Sequence, residues 1–121
     1  MKKIMLTMAI AVIATAFTGC KSFYDDRVNI SHPDIELTNH VGSKRNSNYF
    51  MEVNIDLKNN AGDLTRFEYK FEWFEEGVLI DNFQSKVWNK KSVRAGEAFS
   101  LNGVAPNKMA TSFRLKINKE L

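Results

Sequence analysis

Residues 66–73 read Arg-Phe-Glu-Tyr-Lys-Phe-Glu-Trp, an unbroken alternation of charged and aromatic side chains. On a β-strand successive side chains point to opposite faces, so Phe67, Tyr69, Phe71 and Trp73 share one face while Arg66, Glu68, Lys70 and Glu72 share the other. A helix would throw the four rings onto opposite sides of its axis. A strand with one fully apolar face needs a second layer to cover it, so this one segment calls for two packed sheets.

The same period recurs along the chain. Val28 and Ile30, then Ile35 and Leu37, flank His32-Pro33, and the proline implies an edge or a bulge. Met51, Val53, Ile55 and Leu57 alternate with Glu52, Asn54, Asp56 and Lys58. Residues 59–63 (Asn-Asn-Ala-Gly-Asp), 75–77 (Glu-Glu-Gly) and 94–97 (Arg-Ala-Gly-Glu) have turn composition. Residues 78–83 and 85–88 are expected to be strands, as are 99–104 and 113–117, while 42–48 is expected to be a polar loop. About seven short strands with no helix predict an all-β fold, an antiparallel β-sandwich occupying residues 28–121. Trp73 is expected to be buried in it. The sandwich resembles an immunoglobulin-like one with residues 64–74 as strand C, although a single cysteine cannot supply the inter-sheet bridge.

Ahead of the domain, Lys2 and Lys3 precede a mostly apolar run at 4–17, and Thr18-Gly19-Cys20 follows. Fourteen residues make a helix of roughly 21 Å at about 1.5 Å per residue, short of the ~30 Å hydrocarbon core. The pattern predicts an export signal over residues 1–19, cut between Gly19 and Cys20. Phe17-Thr18-Gly19-Cys20 resembles a bacterial lipobox, which implies that Cys20 carries acyl chains such as palmitate. Each buried methylene contributes about 0.8 kcal/mol, so two or three chains anchor stably without a transmembrane segment. The alternative is an ordinary signal peptide with a stray thiol. Lys21 rather than Asp after the cysteine is compatible with the outer membrane of a Gram-negative host, facing the periplasm. Residues 20–27 read as the lipidated cysteine and a free tether.

The whole chain carries 17 basic and 14 acidic side chains. Loss of Lys2 and Lys3 leaves about +1, which with the export signal argues against a nucleic-acid partner.

Two stretches carry a family likeness. Tyr69-Lys70-Phe71-Glu72-Trp73-Phe74-Glu75-Glu76-Gly77 and Val104-Ala105-Pro106-Asn107-Lys108-Met109-Ala110-Thr111-Ser112-Phe113-Arg114-Leu115, with the lipobox, resemble the YcfL-type periplasmic lipoproteins over most of 28–117. The resemblance implies an immunoglobulin-like sandwich and a domain of unknown function. It supplies no catalytic residues. In some genomes such a lipoprotein is encoded beside an outer-membrane lipoprotein that activates peptidoglycan synthesis, which implies an envelope-assembly context.

Residue chemistry offers no catalytic, cofactor or metal site. His32 and His40 match no ligand spacing even with Asp34 or Glu36, and both are expected to be surface side chains. The pairs Asp25-Asp26 and Glu75-Glu76 are adjacent, whereas acid–base catalysis needs two carboxylates across a cleft. Lys86, Lys90, Lys91 and Arg94 surround Trp88, a grouping that suits a glycan or an anionic partner, or else is a solvated surface with the indole half buried. Residues 105–111 form either a recognition loop or a corner where the chain changes sheet. The sequence therefore predicts a non-enzymatic, lipid-anchored module that binds an envelope protein. The alternative is a lipoprotein that binds a small ligand or glycan through Trp88 and its basic neighbours.

Overall fold

The computed structural model describes residues 23–120; the expected signal, Gly19 and Cys20 lie outside the described residues. The elements are β1 (Val28–Ile30), β2 (Ile35–Leu37), β3 (Gly42–Arg45), β4 (Met51–Asn59), β5 (Thr65–Glu75), β6 (Val78–Leu79), a one-turn helix α1 (Phe83–Lys86), β7 (Asn89–Val93), β8 (Ala98–Val104) and β9 (Ser112–Lys119). They form a two-sheet β-sandwich. In the first sheet β5 is central. It pairs with β9 along one side, and with β7 and β6 in succession along the other; β1 extends the sheet beyond β9. In the second, β4 pairs with β8 on one side and with β3 and β2 end to end on the other.

The core is what the alternation dictates. Phe67, Phe71 and Trp73 of β5 pack with Phe113, Leu115 and Ile117 of β9 against Val53, Ile55 and Leu57 of β4 and Leu101 of β8. Trp73 is fully buried and stacks on Phe71 with ring centroids 5.8 Å apart and planes 16° apart. A Cβ on Gly103 would lie 3.0 Å from the Phe71 ring, so the missing side chain lets that ring rest on the β8 backbone. Glu76 and Gly77 both have positive φ, 47° and 85°, as a two-residue type I′ hairpin from β5 to β6 requires.

Five features depart from the sequence reading. First, β1 runs parallel to β9, with Val28 opposite Leu115, so the first sheet is mixed. Second, residues 83–86 are helical, and the strand expected over 85–88 begins only at Asn89. The Asn82 side chain accepts from the Ser85 amide at 3.3 Å, capping a turn that the apolar spacing had presented as strand. Third, β3 is a strand although all four residues are exposed; its register on β4 comes from backbone pairing and leaves no apolar period to read.

Fourth, the expected free tether over 20–27 is docked from Phe23 onward. Phe23 packs on the core and meets His40 edge-to-face at 5.1 Å. The Arg27 carbonyl accepts from the Leu115 amide, continuing the β1–β9 ladder, and its guanidinium lies 4.9 Å from the Phe113 ring centroid. An exposed ring and an open sheet edge are both satisfied by this packing. Fifth, His32 is buried rather than on the surface, and its Nδ1 accepts from the Asp34 amide at 3.2 Å.

Candidate functional site

Helix α1 ends at an extended Val87, which turns Trp88 onto the outer face of the first sheet. That face is the charged side of the β5 alternation. Trp88 there lines a groove of about 490 Å³ with Ser31, Glu68, Asn118 and Lys119. The cation over its ring is Lys70, with Nζ 4.7 Å from the ring centroid and donating to the Ser85 carbonyl at 3.0 Å.

The basic residues grouped with Trp88 by sequence do not converge on it. Lys86 pairs with Asp81 at 3.0 Å, and Lys90 approaches Glu120 at 4.0 Å. Lys91 stands opposite inward-facing Phe67 and points between the sheets, 6.0 Å from the Phe99 ring centroid. Arg94 sits in the β7–β8 turn, where its amide donates to Glu97. Adjacent residues of a strand belong to opposite faces, so sequence proximity grouped side chains that the pleat separates. Lys70 was missed because it lies 18 positions away, on β5; its only signal was its place on the charged face of that strand.

Arg45 was also missed. Its guanidinium donates to the carbonyls of Tyr49 (3.1 Å), Lys108 (3.1 Å) and Ala110 (2.7 Å), clasping residues 105–111 to the β3–β4 turn. Because β8 and β9 belong to different sheets, that loop is the corner where the chain changes sheet. Asp25 and Asp26 lie on the docked N-terminal segment beside Val28, Glu36 and Leu37. Glu75 and Glu76 are exposed at the β5–β6 hairpin. Among the described residues no three His, Cys, Asp or Glu side chains are placed to hold a metal ion. No helix among them is long and apolar enough to cross a membrane.

Two carboxyls are held below their ordinary range. The Arg27 side chain donates to Asp25 at 2.7 and 2.9 Å, and the Ser100 hydroxyl donates to Asp56 at 2.6 Å with Asn54 and Asn39 adding weaker bonds. A carboxyl whose pKa is lower in the folded state than in the unfolded chain favours folding above the unfolded value, and that contribution vanishes as pH falls through the folded value. Thermal stability should therefore fall below about pH 4, and Asp56→Asn should show a smaller acid-induced drop in Tm than the wild type. Melting curves between about pH 2 and 7 check this.

Fold and surface together define a small β-sandwich module with open edges and a surface groove at Trp88. The chain belongs to the DUF1425 family of proteins of unknown function, whose model matches residues 26–119. It is similar in structure to Campylobacter jejuni cj0090, with a TM-score of 0.65 and 19% identity over 79% of this chain and 100% of that one. It is also similar to a DUF1425 family member from Shewanella sp. pv-4, with a TM-score of 0.63 and 12% identity over 84% of this chain and 97% of that one. At these identities the likeness is one of fold. A search of curated proteins finds no match.

Proposed function

We propose that the chain is a YcfL-type lipoprotein, held by acyl chains on Cys20 in the outer membrane and facing the periplasm, where it is a non-enzymatic binding module for another envelope protein. The observation that carries this reading is the ordering of residues 1–23. A basic start, an apolar run and a small-residue approach to the only cysteine are followed within three residues by Phe23, which packs on the domain's core. Three extended residues span at most about 10 Å, so acyl chains on Cys20 would hold the sandwich against the bilayer surface. Cys20→Ser tests the anchor. It should leave an unacylated precursor that still carries residues 1–19, and normal processing of the variant would refute the reading. Fractionation with mass measurement distinguishes the two.

A second reading is favoured by the groove at Trp88, which the indole lines together with Ser31, Glu68, Asn118 and Lys119. Stacking plus hydrogen bonding is the chemistry that holds sugar rings. On this reading the wild type is retained on purified peptidoglycan and Trp88→Ala reduces retention at least about tenfold, a loss of roughly 1.4 kcal/mol. Equal sedimentation of both proteins with peptidoglycan would exclude it.

A further inference from the structure

The pairing of β8 with β4 leaves one edge of β8 open. The Asn59 amide donates to the Glu97 carbonyl at one end of this ladder, and the Ala105 amide donates to the Met51 carbonyl at the other. Odd-numbered residues of β8 thus direct their backbone groups at β4, and even-numbered ones direct theirs outward. Among the described residues only the Val104 carbonyl of that outward set is met, by the Gln84 amide at 3.1 Å. The outward groups of Ala98, Ser100 and Asn102 remain open.

Exposed strand edges are ordinarily guarded by charge, proline or brevity. Here β7 carries Lys90 and Lys91, β3 carries Lys44 and Arg45, and β1 and β2 have three residues each. In contrast β8 is seven residues long, Ala-Phe-Ser-Leu-Asn-Gly-Val, with neither charge nor proline. We infer that the free edge of β8 receives an extended, acidic segment of another envelope protein as an added strand.

The acidic character follows from what flanks the opening. A strand added beyond β8 lies beside β7, where Lys91 points between the sheets and Arg94 is the first residue of the adjoining turn. Among the described residues neither has a carboxylate within ion-pair distance, and Glu97 is folded back onto the Arg94 amide. Glu52 and Asp56 of the second sheet lie on β4, one strand in from the open edge, and Asp56 is already bonded by three donors.

Choice of a different protein over a second copy rests on the anchored reading proposed above. Phe23 docks at the β1–β2 side of the sandwich, opposite β8. Antiparallel pairing of two β8 strands has its two-fold axis perpendicular to the sheet and turns the two anchored sides in opposite directions. With at most about 10 Å of chain from Cys20 to Phe23, one flat bilayer would not serve both anchors. A single anchored copy instead presents β8 away from the lipid.

The test uses the full chain in its own cell envelope, with a photo-crosslinking residue replacing Ala98 on β8 or, for comparison, Asn29 on β1. The expected product from position 98 joins this chain to a segment of another protein with acidic residues at alternate positions. Its yield should exceed that from position 29 by at least about tenfold. Asn102→Pro removes an outward N–H that makes no bond to β4. It should lower the yield at least about tenfold while leaving Tm within a few degrees. The inference is overturned by joining to β8 of a second copy, by equal yield from position 29, by indifference to Asn102→Pro, or by no product at position 98. The amino-terminal mass of the same sample reports the anchor separately, so an unmodified Cys20 refutes the anchored reading without deciding the crosslinking result.

Discussion

Trp73→Ala should cost roughly 3–5 kcal/mol, the range for removing a large buried aromatic side chain. Domains of this size have about 5–15 kcal/mol in all, so the variant should melt tens of degrees lower or fail to fold at 37 °C. The loss has two parts. The indole is fully buried between Phe71 and Phe113, and its removal leaves a cavity under both sheets. Its Nε1 also donates to Gln84 Oε1 at 2.9 Å, and Gln84 in turn donates to the Val104 carbonyl. The ring therefore supports α1 and ties it to the second sheet. Trp73→Phe, which keeps an aromatic ring and loses the donor, should cost less than half as much. Thermal melts of the three proteins decide this, and an unchanged Tm in Trp73→Ala would contradict the packing described above.

Asn59→Ala should cost about 3 kcal/mol although it deletes no apolar side chain. Asn59 is fully buried at the end of β4. Its Nδ2 donates to the carbonyls of Asp63, Val93 and Arg94 at 3.0–3.1 Å, while Oδ1 accepts from the Ala61 amide and the Thr65 hydroxyl. One side chain thereby binds the β4–β5 turn to the β7–β8 turn. Truncation leaves several buried polar groups without partners, each costing about 1–3 kcal/mol unless water reaches it. Asn59→Asp should be at least as damaging at pH 7, because it keeps the acceptors, loses the donors and sets a carboxylate against three carbonyl oxygens. Urea denaturation of both variants measures the two costs. A loss under about 0.5 kcal/mol in each would show that the knot is not structural.

What was legible in the sequence is what side-chain period encodes. β4, β5, β8 and β9 each have one face in the core, so their apolar residues recur at every second position and their layer could be read directly. β3 has no buried face, and pairing along an edge leaves no mark on composition. Helix α1 is a single turn held by the Asn82 cap and by Gln84, too short for a 3.6-residue period to appear. By sequence Asn59 is one of several residues of turn composition. Its role depends on carbonyls 34 and 35 positions away, and no local pattern announces them. The same holds for Arg45, which clasps carbonyls 63 and 65 positions ahead.

The candidate site followed the same division. Trp88 stood out by type, and the structure gives it a groove. Its neighbours could not be named from sequence, because β-pairing brought up Lys70 and Glu68 from β5 and the pleat turned Lys91 away. The open edge of β8 was visible only as an uncharged strand. That it lies at an edge, with alternate backbone groups unpaired, is a property of topology.

Acylation of the thiol at position 20 is the claim on which the proposed location and orientation rest. Mass spectrometry of the amino-terminal peptide, taken from the chain in its host's envelopes, tests it most directly. The account predicts a chain that begins at Cys20 and carries the added mass of fatty acyl groups. A chain beginning elsewhere, or a Cys20 with a free sulfhydryl and no added mass, would contradict it.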